Sequence, residues 1–235
     1  MMRKTDIAII TARGGSKRIP RKNVKPFMGK PMISYAIDAC LNSGVFERVM
    51  VSTDDAEIAE TARAFGAEVP FMRSEETSND FATTADVISE VLEAYAARGE
   101  AFSSICCVYP CVPLLRPETL RAAAAEFAGC GALSPVCRFH MPVEHALRIR
   151  GGFIEPVNRA MMNTRTQDLE PCYYDVGMFY FIETGVFKAH KTMFPPQSKA
   201  FVIADEECQD IDTHDDWRLA ELKYSLIFGN EKDRP

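Results

Sequence analysis

Four times between residues 7 and 128 a short apolar run gives way to a stretch of helical periodicity. Ile7–Thr11, Val49–Thr53, Glu68–Phe71 and Ile105–Tyr109 read as strands. The intervening helices are predicted from Met32 to Gly44, over Ala56–Phe65, over Thr83–Ala97 and from Pro117 to about Ala128. Such alternation builds βαβ units, because parallel strands need a crossover and the crossing helix packs back on the sheet. Ile7-Ala8-Ile9-Ile10 is apolar at every position, which suits a strand buried on both faces. The class expected is α/β, with a mostly parallel central sheet sandwiched by helices.

The rhythm changes after residue 130. Strands are predicted at Ala132–Cys137, Ala146–Ile149, Gly152–Ile154, Met178–Ile182 and Ala200–Ile203, and a last helix over Asp215–Phe228. We read residues 1–235 as a single domain carrying a small β-rich insertion at about 138–176. A piece of that size cannot bury its own apolar surface well. A lid, a dimer contact, or both, is expected of it.

Charge is segregated along the chain. The total of 27 basic and 33 acidic residues gives −6, a poor balance for a general nucleic-acid binder. Yet Arg13 to Lys25 holds six Lys or Arg and no acid, whereas Asp205 to Asp216 holds seven acids and no Lys or Arg. The basic stretch follows the first strand directly, so it lies at a strand carboxyl end, where open α/β sheets bind ligands. Gly14 and Gly15 let the backbone approach an anion, Ser16 adds a hydroxyl, and Arg13, Lys17 and Arg21 offer charge-assisted bonds to phosphate. The competing reading is a solvated basic turn. Neither G-x-x-x-x-G-K-[ST] nor G-x-G-x-x-G is present, which argues against a Walker loop and a dinucleotide fold.

Asp210-Ile211-Asp212 precedes the last helix. Carboxylates at i and i+2 on extended backbone share a face and suit a hard cation such as Mg²⁺. The same acids could simply cap the helix. Opposite a basic phosphate loop the metal reading is preferred. The eight cysteines show no C-x-x-C pair and no zinc spacing, and read as reduced thiols in a cytoplasmic protein. No apolar window suits a membrane span, and the apolar run after Met1 is too short for a signal-peptide core. His140, His145, His190 and His214 show no pairing that suggests a nucleophile, although His140 could touch a substrate. Trp217 is read as a core anchor.

Ile9 to Asn23, followed by Pro26-Phe27-Met28-Gly29-Lys30-Pro31-Met32, closely resembles the opening motif of the CMP-sugar synthetases. The resemblance continues through Val51-Ser52-Thr53-Asp54-Asp55, Asp80-Phe81-Ala82-Thr83-Thr84 and Gln209-Asp210-Ile211-Asp212-Thr213, and so covers nearly the whole chain. Within that family Tyr109-Pro110-Cys111-Val112-Pro113, Asn163–Leu169 and Tyr174–Tyr180 look most like the branch that activates pseudaminic acid. Tyr109 stands where the sialic and legionaminic enzymes usually carry Gln. Cys111 departs from the Thr usual in the branch.

The resemblance implies a Rossmann-like nucleotidyltransferase domain that joins CTP to a nine-carbon 2-keto sugar acid and releases pyrophosphate. It implies nucleotide contacts at Ala12, Arg13, Gly14, Gly15, Ser16, Lys17, Lys22, Asn23, Arg73 and Thr84. Arg13, Lys17, Asp210 and Asp212 would be catalytic, with Mg²⁺ (or Mn²⁺) on the two aspartates. Sugar contacts would fall at Tyr109, Arg165, Gln167 and Asp175. Alternatives stay open at single residues: Thr84 could cap a helix, and Arg165 could be a surface or interface charge. A homodimer is implied, with no nucleic-acid or membrane partner. Other readings are a synthetase for sialic, legionaminic or KDO acid, and a non-catalytic nucleotide- or sugar-binding module. The module would not need the aspartate pair.

Overall fold

The computed structural model describes residues 5–229. The start of the signal-peptide reading, Met1–Lys4, lies outside them. β1 (Thr5–Thr11) leads through the basic loop into a small ribbon, β2 (Pro26–Phe27) and β3 (Lys30–Pro31), and then α1 (Met32–Ser43). β4 (Phe46–Ser52), α2 (Ala56–Ala64), the single turn α3 (Glu75–Ser78) and α4 (Thr84–Ala96) follow. β5 (Ser104–Val108), α5 (Pro117–Phe127) and β6 (Ala132–Arg138) close the alternating part. Beyond them come the hairpin β7 (Leu147–Arg150) and β8 (Phe153–Pro156), then β9 (Tyr173–Asp175) and β10 (Phe179–Glu183). The chain ends through α6 (Thr184–His190), β11 (Lys199–Val202) and α7 (His214–Phe228).

The main sheet has seven strands in the order β11-β6-β10-β5-β1-β4, with β9 pairing the end of β6. β1 is parallel to β4 and β5, and β11 to β6, whereas β10 runs against both β5 and β6. The sheet is therefore mostly parallel, as expected, with an antiparallel strand at its centre. The reversal arises because the chain leaves β6 for the insertion and returns through β9, which pairs antiparallel with β6.

Successive residues of the inner strands serve different layers. Ile7 and Ile9 join an apolar cluster with Ile88, Val91 and Tyr95 of α4, while Ala8 and Ile10 join another with Ile33 and Ile37 of α1. Adjacent Cys106 and Cys107 divide in the same way. This is why these strands are apolar at every position. All eight cysteines are free thiols.

The strand expected at Glu68–Phe71 is reduced to a single parallel bridge between Met50 and Glu68. Pro70 has no N–H to extend a ladder, and Arg48 grips the Glu68 carboxylate with Nε and Nη2 at 3.1 and 2.6 Å. The insertion forms its own hairpin rather than a packed layer, and Ile149, Phe153 and Ile154 are 77, 80 and 70% exposed.

A third apolar cluster matters most for function. It joins Ile19 of the basic loop, Phe27, Met32 and Tyr35 to Ile211, Trp217 and Ala220. Phe27 meets Tyr35 and Trp217 edge-to-face at centroid distances of 5.5 and 5.4 Å. Ile211 is fully buried between two aspartates. Ile211→Ala should therefore lower the unfolding free energy by roughly 2–5 kcal/mol, read as a shift of the urea midpoint. A loss below about 0.5 kcal/mol, the level of an ordinary surface change, would show that the cluster does not hold the acidic segment.

Candidate active site

Except for Arg165 and Gln167, the residues singled out from the sequence gather at the carboxyl ends of β1, β4 and β5, with β9 and the acidic segment alongside. A cleft of about 530 Å³ is lined by Arg13, Arg73, Asp80, Thr84 and Tyr109 among others. A second, of about 360 Å³, lies over the basic loop beside Arg13, Ser16, Lys17, Lys22 and Asn23. The two share Thr11, Arg13, Arg18 and Pro110. A third hollow of about 670 Å³ holds Asp175, Asp210, Asp212, His140 and Lys223. Arg18, which lines the first two, reaches Asp212 of the third at 2.6 Å.

The basic loop is shaped by its own polar contacts. The Gly14 N–H donates to Asp54 Oδ1 at 2.9 Å. A Cβ on Gly14 would lie 2.8 Å from Asp55 Oδ2, so the close approach requires glycine there. Gly15 has open space instead. Asp55 caps α2 through Ile58 N–H at 3.0 Å and pairs with Arg21 at 2.8 Å. Ala12 is fully buried, a packing residue that lets the loop leave the sheet. Asn23 is buried with both polar groups committed: Nδ2 donates to the Arg13 carbonyl at 2.9 Å, and Oδ1 accepts from Cys111 Sγ at 3.2 Å. Burial pushes the Cys111 thiol up to about 12, with Asp210 and Asp212 adding to the rise and Lys22 opposing it.

Five cations of the loop, Arg13, Lys17, Arg18, Arg21 and Lys22, have acidic or carbonyl partners, and Lys25 lies over the Trp217 ring at 4.7 Å. Arg13 pairs with Asp80 at 3.0 Å and Lys17 holds the same carboxylate. Their hydrogen bonds, Lys17 first and then Arg13, keep the Asp80 carboxyl below the usual carboxylate range. Lys22 donates to the Ile211 carbonyl at 2.6 Å and stands 3.8 Å from Asp212. The loop is thus more than the solvated basic turn of the competing reading: Asp80 spans Arg13 and Lys17, and Lys22 ties the loop to the acidic segment.

Arg73 donates from Nε to Ser52 Oγ at 3.0 Å and from Nη2 to the Ser52 carbonyl at 2.6 Å. Burial lowers its guanidinium from the ordinary value, with Asp54 and Glu90 opposing. Thr83, not Thr84, caps α4 in a reciprocal box with Asp86. Thr84 is left free to share a hydrogen bond with Tyr109 Oη at 3.2 Å. Burial raises the Tyr109 phenol, which makes it a neutral hydrogen-bonding group. Its ring meets Tyr180 edge-to-face at 5.6 Å, and the Tyr180 hydroxyl lies 2.8 Å from both Asp175 oxygens. A chain of contacts, polar at both ends and aromatic in the middle, therefore runs from the helix start to the insertion's end.

Asp210 and Asp212 flank buried Ile211, which turns both carboxylates toward the third hollow. Desolvation, and then the like charge of Asp212, push the Asp210 carboxyl above the usual carboxylate range. Among the described residues no ion pair to Asp210 is found. Arg165 and Gln167 are exposed on a short 3₁₀ turn, Thr166–Asp168, and line none of these three clefts. Sequence reasoning did not single out Tyr180, Asp80 as a partner of the loop cations, or Lys223. For Lys223 a signal existed: Asp216, Ala220 and Lys223 follow helical spacing on α7.

The match to known proteins is extensive. Residues 7–131 fit the family model described as cytidylyltransferase. A pseudaminic acid cytidylyltransferase of Campylobacter jejuni is 36% identical over 224 residues, 94% of this chain and 97% of that one. A CMP-N,N'-diacetyllegionaminic acid synthase of Legionella pneumophila is 31% identical, over 94% of this chain and 96% of the relative. Among solved structures, a CMP:2-keto-3-deoxy-manno-octonic acid synthetase complexed with CTP superposes with a TM-score of 0.66 at 17% identity, covering 95% of this chain and 98% of that one, a likeness of fold. The chain belongs to the cytidylyltransferase family.

Proposed function

We propose that this enzyme transfers the cytidylyl group of CTP to pseudaminic acid, a nine-carbon 2-keto sugar acid, giving the CMP-sugar and pyrophosphate. The observation that carries the reading is the contact between the two oppositely charged segments. Arg18 and Lys22 of the basic loop meet Asp212 and the Ile211 carbonyl, so phosphate-binding and cation-binding groups face one another. The choice of sugar rests on the 36% identity to the Campylobacter relative and on Tyr109 and Asp175, which line the first cleft and the third hollow and are joined through buried Tyr180.

In the reaction the anomeric hydroxyl of the sugar acid attacks the α-phosphorus of CTP, and pyrophosphate leaves with the bridging oxygen. Positioning and charge stabilisation dominate such transfers. Arg13 and Lys17 exchange Asp80 for phosphate oxygens, and charge-assisted bonds to them stabilise the departing pyrophosphate. Arg73, fixed by Ser52, and Thr84, held by Tyr109, border the side of the cleft assigned to base and ribose. Asn23 and Ala12 act on the nucleotide indirectly, by shaping the loop. Asp175, held by Tyr180, faces the hollow assigned to the sugar.

The donor set fits a divalent cation. Two hard carboxylates open on one hollow, Asp210 has no ion-pair partner among the described residues, and burial, then the like charge of Asp212, raises it. Asp210 and Asp212 would hold Mg²⁺ (or Mn²⁺), which when bound supplies positive charge to phosphate oxygens and lowers the pKa of the attacking hydroxyl. The insertion's exposed Ile149, Phe153 and Ile154 support a homodimer formed through it. That dimer would also give Arg165 and Gln167 a second subunit to face. No helix among the described residues is long and apolar enough to cross a membrane.

Pyrophosphate release with CTP and each of pseudaminic, legionaminic, sialic and KDO acids should be fastest with pseudaminic acid. Turnover of sialic acid with none of pseudaminic acid would refute the choice of sugar. Asp212→Asn should cut turnover by at least about a hundredfold while CTP still binds. An inert wild type under the same conditions would favour a binding module. Phe153→Lys should convert the dimer to monomer in light scattering, and an unchanged mass would exclude the hairpin as the interface.

A further inference from the structure

Between Ile203 and Thr213 the chain runs outside any strand ladder, yet two carboxylates there must keep a fixed separation. A short turn, Asp205–Glu207, is followed by Cys208–Thr213 without regular structure. Its local main-chain bonds are limited, with Glu207 N–H on the Ala204 carbonyl and Cys208 N–H on that of Asp205. Orientation of this segment therefore falls to side chains from elsewhere.

α7 supplies them at both ends. At the carboxyl end Asp216 Oδ2 accepts from Asp212 N–H at 3.1 Å and Thr213 N–H at 2.7 Å. At the amino end the Lys223 ammonium donates to the Asp205 carbonyl at 2.8 Å and the Cys208 carbonyl at 2.7 Å. Its distance to the Asp205 carboxylate is longer, at 3.7 Å. Its side chain is only 18% exposed. The strongest bonds of this cation are thus to the main-chain carbonyls of Asp205 and Cys208, in the run that leads to Asp210, not to a carboxylate. Charge-assisted bonds of this kind are stronger than neutral ones and restrict the carbonyls they receive. α7 itself is immobilised through Trp217 and Ala220 in the third apolar cluster.

We infer that Lys223 is a positioning residue for the cation pair: from α7 it clamps the Asp205–Cys208 turn and so sets where Asp210 and Asp212 stand. The inference rests on the reading of those aspartates as metal-holding. Lys223 lines the same hollow as they do, but its ammonium is committed to the turn. Removing a partner that orients metal ligands costs roughly 10- to 100-fold in metal affinity.

The test is Mn²⁺ binding, followed by water-proton relaxation enhancement, on full-length wild type, Lys223→Met, Lys223→Arg and Asp212→Asn. Lys223→Met should weaken Mn²⁺ binding by at least about tenfold, and Lys223→Arg should restore most of it. CTP affinity measured without metal should stay within about twofold of wild type. A folded Lys223→Met with wild-type Mn²⁺ affinity would overturn the inference. So would a rise confined to the sugar KM, which would make Lys223 a sugar contact. If Lys223→Met unfolds at the assay temperature, Lys223→Gln, which keeps two N–H donors, takes its place with the same two outcomes. Asp212→Asn separates the two levels: equal Mn²⁺ binding by it and wild type would sink the metal reading itself, whereas its loss with Lys223 variants unaffected would sink only the clamp.

Discussion

The apolar contact beneath the charged groups is what the rest of the site depends on. Ile19 lies between cations and Ile211 between aspartates, and both are fully buried in one cluster with Phe27 and Trp217. Opposite charges attract without choosing a geometry, and an exposed ion pair contributes about 0–1 kcal/mol. Burying an isoleucine contributes about 1.5–3 kcal/mol and admits few arrangements. The cluster therefore sets the distance between the segments, and Arg18–Asp212 and the Lys22 bond to the Ile211 carbonyl adjust within it.

That arrangement gives the segregated charge a structural meaning. Asp80 occupies the cations nearest the first cleft, and Asp212 partners Arg18 at its far side. On the proposed reading, anion binding at this loop would exchange Asp80 for phosphate oxygens rather than neutralise a bare positive surface. The net −6 of the chain is compatible with that, since only local charges within a Debye length matter to a small ligand.

Much of the fold was legible because inner strands serving two layers must be apolar throughout, as Ile7–Ile10 and Ile105–Val108 are. The basic loop and the aspartate pair were legible because their residue types are costly to place together without a partner of opposite charge. What was missed depends on distant pairings. The antiparallel course of β10 is decided by β9 meeting β6, and nothing in Phe179–Glu183 states a direction. Pro70 was visible, yet the strand expected at Glu68–Phe71 keeps only the Glu68 bridge to Met50, because Pro70 cannot donate to extend it. Asn23 had the residue type of a base reader, yet Cys111, 88 positions later, takes one end of its amide. Arg165 and Gln167 had suitable chemistry, but the insertion keeps them away from the clefts of their own chain.

The central place of β10 has a consequence for the order of assembly. Its neighbours β5 and β6 are complete by residue 138, but the strand that joins them is not made until residues 179–183. During synthesis the facing edges of β5 and β6 remain unpaired while the whole insertion emerges, and such edges are templates for wrong pairing. The β5–β10 and β6–β10 ladders are long-range closures, as the β1–β5 ladder is, and neither can form before residues 179–183 are made. The insertion is then more than an appendage to a finished sheet: its return stroke closes the sheet, and its length sets how long the nascent edges stay open.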